Sequence, residues 1–174
     1  DRIEAGTFCI AATLANGNLK IKNFNPRFIS TELNLLKKIG AKIKTDKNKI
    51  FIKGPEIIKS IQNINTREFP GIPTDLQAQL MVLMCKATGK SIITESIFEN
   101  RFMHDAELER LGAKINIKNN KAFIQGNTKF IAAELMSSDL RASVALVLAA
   151  IVSNGKSYIN RIYHLDRGYE KIED

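Results

Sequence analysis

One short stretch places an aspartate where it could do chemistry: Phe69-Pro70-Gly71-Ile72-Pro73-Thr74-Asp75-Leu76-Gln77-Ala78-Gln79. Two prolines and a glycine keep its first half out of regular structure. Its second half opens an apolar run, Leu76–Ala87. Thr74 and Asp75 stand at the junction, where a helix N-cap is wanted. A carboxylate there either accepts backbone N–H bonds or faces a ligand, as a base or as a hydrogen-bond acceptor. Thr74 can cap alone, and the stiff approach shapes the chain more than a cap requires. Asp139-Leu140-Arg141 pairs opposite charges at the start of another apolar run. Ile97-Phe98-Glu99-Asn100-Arg101-Phe102-Met103-His104 crowds aromatic and charged side chains into a loop that could line a cleft. Its plainer reading is a charged loop plugged by Phe98 and Phe102. His104 and His164 read as loop or helix-end histidines. No Ser/His/Asp order, Gly-rich phosphate loop or metal-ligand spacing occurs, so no metal and no cofactor are expected.

The chain has 174 residues, 44% of them hydrophobic, enough for one substantial core. No apolar run reaches the ~20 residues needed to span a bilayer, and a membrane role is not expected. Cys9 and Cys85 lie in apolar stretches and read as buried thiols of a reducing compartment. The start at Asp1 and the end at Asp174 suggest a piece of a longer protein. The net charge is +8. Much of it is lysine alternating with isoleucine in Lys42-Ile43-Lys44 and Lys114-Ile115-Asn116-Ile117-Lys118, the pattern of a strand's solvated face. A nucleic-acid face would add exposed aromatics and clustered arginine. A basic, non-catalytic RNA-binding module is the alternative that the charge leaves open.

The chain repeats itself. Leu36-Lys37-Lys38-Ile39-Gly40-Ala41-Lys42-Ile43 matches Leu108-Glu109-Arg110-Leu111-Gly112-Ala113-Lys114-Ile115, and Gly17, Gly40 and Gly54 recur as Gly89, Gly112 and Gly126, each 72 residues on. We read repeat one as 1–54, repeat two as 55–126 and a truncated repeat three as 127–174. Each opens with an apolar helix (Ile3–Ala15, Leu76–Ala87, Leu140–Ser153) that ends at a glycine turn. A short strand follows (Leu19–Asn23, Ser91–Glu95, Ser157–Arg161), then an amphipathic helix (Ser30–Ile39, His104–Leu111, a truncated one from Arg167). Two strands close repeats one and two (Ala41–Lys44 with Ile50–Lys53; Lys114–Ile117 with Lys121–Gln125). A further strand fits before copies two and three, near Ile61–Thr66 and Ala132–Met136.

The first helices of the copies are apolar nearly all round, so they belong in the middle of a domain, with sheets and amphipathic helices outside. Pseudo-threefold symmetry then points their N-termini the same way. Asp1, Asp75 and Asp139 each stand beside one N-terminus, and that shared end is a natural anion site. Arg27, Arg101 and Arg167 follow the short strands in equivalent places. Arg2 and Arg141 lie in first turns, where a cation opposes the helix dipole; Arg2 is expected to pair with a carboxylate.

Four motifs in order complete the reading: the Phe69–Gln79 stretch, Phe98-Glu99-Asn100-Arg101-Phe102-Met103-His104, Ser138-Asp139-Leu140-Arg141-Ala142-Ser143, and Arg161-Ile162-Tyr163-His164-Leu165-Asp166-Arg167-Gly168-Tyr169-Glu170. Together they resemble the UDP-N-acetylglucosamine 1-carboxyvinyltransferase family, the enolpyruvyl transferases that commit this sugar nucleotide to peptidoglycan. Their relatives, the EPSP synthases of aromatic biosynthesis, are the nearer alternative. The resemblance implies an α/β fold, an inside-out α/β barrel of repeated units around three central helices. It implies a cytoplasmic enzyme with phosphoenolpyruvate and UDP-N-acetylglucosamine as substrates and a first domain of the same protein as partner. This chain would be most of the second domain and inactive alone. The family's reactive cysteine lies in that first domain, so Cys9 and Cys85 do not take its role. On matching positions, Asp75 is the base that contacts the sugar hydroxyl, Ile97 a backbone contact to the sugar nucleotide, and Thr74 and Phe98 its neighbours. Arg167 clamps phosphoenolpyruvate, and Arg101, Asp139 and Arg141 are further site positions.

Overall fold

The computed structural model describes residues 1–169. The first unit runs α1 (Arg2–Leu14), β1 (Asn18–Lys22), a 3₁₀ turn (Pro26–Ile29), α2 (Ser30–Ile39), β2 (Lys42–Asp46) and β3 (Lys49–Lys53). The second runs β4 (Asn63–Asn65), a 3₁₀ turn (Thr74–Leu76), α3 (Gln77–Lys86), β5 (Lys90–Thr94), α4 (Asp105–Arg110), β6 (Lys114–Lys118) and β7 (Lys121–Gln125). The third has β8 (Glu134–Met136), α5 (Leu140–Ile151), β9 (Tyr158–Asn160) and a 3₁₀ turn, Ile162–Arg167. Arg167 ends that turn, and most of the truncated helix expected from Arg167 falls on residues 170–174, which lie outside the described residues.

The sheets repeat as the sequence does. β1, β3 and β2 form one antiparallel sheet in that order. β5, β7 and β6 form its counterpart, with β4 added parallel to β5. Even the register recurs, Leu19 opposite Ile52 and Ser91 opposite Ile124. β8 pairs parallel with β9 as β4 does with β5. Alternation sets the faces. Ile50 and Ile52 point in from β3, Ala122 and Ile124 from β7, and the flanking lysines point out.

Helices form the inside. In α3 every residue except Lys86 is buried, and α1 and α5 both pack against it. β1 and β3 cover α1, β5 and β7 cover α3, and the amphipathic α2 and α4 lie outermost on α1 and α5. Each fully buried leucine, isoleucine or methionine contributes roughly 1.5–3 kcal/mol, so this inner layer dominates stability. Cys9 and Cys85 sit in it without solvent contact, and burial pushes both thiols up to about 12. Among the described residues, no helix is long and apolar enough to cross a membrane.

Two glycines explain how strands reach the inner helices. Gly54 N–H donates to Gly17 O and Gly126 N–H to Gly89 O, both at 2.8 Å. A Cβ on Gly126 would run into the Ala87 and Gly89 carbonyl oxygens; one on Gly54 would run into that of Ala12. These are backbone atoms and cannot swing aside. Gly126→Ala is expected to destabilise by about 1–3 kcal/mol, read as a lower urea midpoint. Gly17→Ala, whose Cβ would meet its nearest neighbour at an ordinary 3.7 Å, should change it little.

Candidate active site

The three inner N-termini do share one end. Asp1, Ile3 and Glu4 of the first, Asp75 and Gln79 of the second, and Leu140, Arg141 and Val144 of the third line one cavity of ≈ 210 Å³ with Gly168 and Tyr169. The three aspartates, however, are not equivalent. Asp1 accepts from the amides of Ile3 and Glu4, and Asp139 from those of Arg141 and Ala142, so both are N-caps. Each stands sixteen residues before its turn glycine, whereas Asp75 stands fourteen before Gly89. The cap position of the second unit is Pro73, and Asp75 falls in register with Ile3 and Arg141. It lies inside a 3₁₀ turn, and α3 begins two residues later without a side-chain cap. That releases its carboxylate for other partners.

Those partners are arginines from two other segments. Arg141 Nε donates to Asp75 Oδ1 at 2.6 Å, and its Nη2 pairs with the same oxygen. Arg101 Nη1 lies 3.6 Å from that oxygen. Among the described residues, Oδ2 has no hydrogen bond. The side chain keeps 40% of its surface exposed. An ion pair so exposed adds little stability; its consequence is orientation, one oxygen held and the other left open. The expected Asp139–Arg141 side-chain pair does not form, because Asp139 is engaged as a cap and the guanidinium crosses to Asp75. Among the described residues Arg2 makes no ion pair; its guanidinium lies over the Phe69 ring, 5.1 Å from the centroid.

The 97–104 loop forms the neighbouring wall. Arg101 stacks on Phe98 at 4.0 Å, a cation–π contact that aims its guanidinium toward Asp75. Phe98 is half exposed while Phe102 is buried, so only Phe102 plugs the loop. The expected cap, Thr74, makes no capping bond; its hydroxyl donates to Glu95 Oε2 at 2.8 Å. Glu95, which the sequence reading missed as a functional residue, is 2% exposed and also receives Thr66 Oγ1 and the amides of Ile97 and Phe98. A buried carboxylate among hydroxyl and amide donors is a three-dimensional feature, and in the sequence Glu95 was only the end of a strand. The amide of Ile97 is thereby engaged, which leaves its carbonyl for a ligand. Gln79 donates to Thr7 at 3.1 Å and to the carbonyl of Asp75 at 3.0 Å, and Thr7 meets the Tyr169 hydroxyl at 2.7 Å.

Arg27 and Arg167 are exposed, and among the described residues neither makes an ion pair. Of the three arginines expected in equivalent places, the structure brings only Arg101 to Asp75. Among the described residues, no group of three or more His, Cys, Asp or Glu side chains is placed to hold a metal ion.

A family model for EPSP synthase (3-phosphoshikimate 1-carboxyvinyltransferase) matches residues 1–174. The chain belongs to this family. UDP-N-acetylglucosamine 1-carboxyvinyltransferase of Pelagibacter ubique (strain HTCC1062) is 65% identical over 173 residues, 99% of this chain and 41% of that protein. The protein of the same name from Desulfosudis oleivorans (strain DSM 6200 / JCM 39069 / Hxd3) is 50% identical over 174 residues, 100% of this chain and 42% of its own length. Among solved structures, the enolpyruvyl transferase NikO from Streptomyces tendae superposes with a TM-score of 0.86 at 26% identity, over 97% of this chain and 40% of that one. An EPSP synthase from Acinetobacter baumannii, at 0.74 and 19% identity over 97% of this chain and 43% of that one, shares the fold. The inside-out α/β architecture is thus that of the enolpyruvyl transferases. The chain spans about 41% of the length of the curated relatives it matches.

His104 carries a consequence for pH. Burial pushes its imidazole down from 6.5 to about 4, against a smaller upward pull from Asp139. The folded chain therefore keeps it neutral while the unfolded chain takes up a proton below pH 6.5. This stability is fully present above pH 6.5 and is lost as pH falls through about 4, on the order of 3 kcal/mol in all. His104→Phe should flatten that acid limb, seen as a smaller drop in urea midpoint between pH 7 and pH 5.

Proposed function

We propose that residues 1–174 are most of the second domain of a two-domain enolpyruvyl transferase. It moves the enolpyruvyl group of phosphoenolpyruvate onto the 3′-hydroxyl of UDP-N-acetylglucosamine and releases phosphate, the first committed step of peptidoglycan synthesis. The observation that carries this reading is the Asp75 carboxylate, with Oδ1 held by Arg141 near Arg101 and Oδ2 open beside the shared helix end. A carboxylate held this way is presented to a hydroxyl without reorganising during the reaction. The names of the relatives at 65% and 50% identity support the sugar nucleotide as acceptor. The buried thiols of Cys9 and Cys85 fit a reducing, cytoplasmic setting.

In this reading Oδ2 of Asp75 takes the proton of the 3′-hydroxyl as that oxygen bonds to C2 of phosphoenolpyruvate. The methylene carbon gains a proton in the same addition. Collapse of the tetrahedral adduct breaks the bond from C2 to the phosphate oxygen, and the methyl carbon returns its proton. Phosphate leaves with the proton that the hydroxyl gave up. Ile97 meets the sugar nucleotide through its carbonyl, and Phe98 lies along the same wall. Arg101 and Arg141 present positive charge to the anionic substrates, and Asp139 fixes the turn that carries Arg141. Thr74 acts by holding the turn of Asp75. Arg167 closes on phosphoenolpyruvate when the first domain, the partner this chain requires, comes down over the cleft.

The test uses the full-length protein. It should release phosphate from phosphoenolpyruvate only when UDP-N-acetylglucosamine is present; a requirement for shikimate 3-phosphate instead would overturn the acceptor. Asp75→Asn should lower kcat by ~10²–10⁴-fold with the affinity for the sugar nucleotide nearly unchanged, and a near-normal kcat would remove Asp75 from the base role. Arg167→Ala should raise the KM for phosphoenolpyruvate by about tenfold or more, the loss of one charge-assisted contact, while leaving that for UDP-N-acetylglucosamine alone. Unchanged kinetics would dispose of the clamp.

A further inference from the structure

The repeat permits a comparison that isolates one residue. Six residues after each turn glycine, where the short strand ends, stand Asn23, Glu95 and Arg161. Asn23 and Arg161 are exposed and take the left-handed conformation, with φ of 57° and 59°. Glu95 does neither. It is 2% exposed, and its backbone runs on in hydrogen-bond contact with Asn120, whose carbonyl accepts from the Glu95 amide at 2.9 Å. The fold therefore ends two of its three equivalent strands without a buried charge. Burying a carboxylate is expensive unless every donor it needs is supplied, so the second unit carries a construction that the architecture alone does not demand.

The donors show what the construction joins. Oε1 accepts from Thr66 Oγ1 and the Ile97 amide, each at 2.8 Å, and from the Phe98 amide at 3.3 Å; Oε2 accepts from Thr74 Oγ1 at 2.8 Å. Thr66 Oγ1 in turn accepts from the Ser96 amide at 2.8 Å. One carboxylate thus ties the residue before Asp75 to the loop whose Arg101 approaches Asp75. The two segments have no other side-chain hydrogen bond between them among the described residues. Glu95 itself faces the other side of that loop, where Phe98, Arg101, Phe102 and Asn120 join it around a smaller cavity of ≈ 190 Å³.

We propose that Glu95 is a positioning residue: its carboxylate locks the Thr74–Leu76 turn to the 96–101 loop and so sets where Asp75 and Arg101 stand relative to one another. This rests on the reading of Asp75 given above. Glutamine at this position loses an acceptor and presents an amide N–H₂ toward groups that are themselves donors. Aspartate keeps the charge but is one methylene too short to reach both segments. Valine at Thr66 or Thr74 removes single arms of the tie and leaves the charge in place.

The experiment uses full-length Glu95→Gln, Glu95→Asp, Thr66→Val and Thr74→Val proteins. For Glu95→Gln, kcat should fall by about tenfold to a hundredfold, the scale for reacting groups displaced by about 1 Å. KM for UDP-N-acetylglucosamine should rise by more than KM for phosphoenolpyruvate, because Ile97 and Phe98, which meet the sugar nucleotide, move with the loop. Thr66→Val and Thr74→Val should show the same split more weakly, and the Glu95→Gln/Thr74→Val double variant should be no worse than Glu95→Gln alone. A purely structural role would lower thermal stability and active fraction without separating the two KM values, and that result overturns the proposal. If Glu95→Gln does not fold, the two valine variants decide it by the same criterion. A crystal structure of the best-folded variant in this set adds a readout independent of substrate. Displacement of the 96–101 loop relative to Asp75 supports the proposal, and an unmoved loop overturns it even if wild-type protein were to use another acceptor. A wild type inactive with these two substrates fails the functional reading instead.

Discussion

A helix that is buried on every side must be surrounded, and α3 imposes that demand on everything else. Its exposed alternative would leave Leu80, Met81, Val82, Leu83 and Met84 in water, and no single neighbouring element could cover them all. Two more apolar helices and the inward faces of β5 and β7 meet the requirement. The sheets are driven outward as a result, as in β3, where Ile50 and Ile52 face inside and Lys49 and Lys53 face outside. The glycines at 54 and 126 belong to the same constraint, since the hairpins reach the inner helices only where no Cβ intervenes.

Packing related helices around one another also gathers their N-termini, and there the fold meets electrostatics. Three sets of unpaired amides converge on one end. Two are closed by aspartate caps. The third is different, because proline occupies the cap position and the aspartate sits two residues further along. Asp75 is thereby freed from its own helix, and it is held by Arg141 from α5, which stands at the matching place in its own unit. Equivalent positions in two copies have become an anion and a cation that meet. A repeated scaffold gives both side chains the same height at the same end, and divergence at one register position supplies opposite charges.

The departures from symmetry cluster in the second unit. Asp75, Thr74 and Glu95 are each unlike their counterparts, and they are neighbours in space. Glu95 joins the turn to the loop, Phe98 orients Arg101, and Arg101 approaches Asp75. The order of dependence runs from a buried carboxylate outward to an exposed one. A site built in this way is stiff on its inner side and open toward the cleft. The remaining arginine expected at the site, Arg167, stands apart on the last described turn.

The amino-acid sequence by itself determined the repeat, the helix and strand types and the inside-out layering, because these follow from periodicity and glycine spacing; Asp75 was singled out by the family resemblance that its motif carries. Boundaries fell within one or two residues, as for α2 at Ser30–Ile39, since each element's apolar pattern fixes its own face. What each charged side chain does was decided by the tertiary structure. Nothing local in Asp139-Leu140-Arg141 says that the aspartate will cap while the arginine crosses 66 positions to Asp75. Thr74 looks like a cap until Glu95 is seen beside it, and Glu95 looks like the end of a strand until four donors surround it. Local pattern encodes burial, whereas the partner of a polar group is whichever complementary group the fold brings within about 3 Å. That proximity is a property of the packed chain.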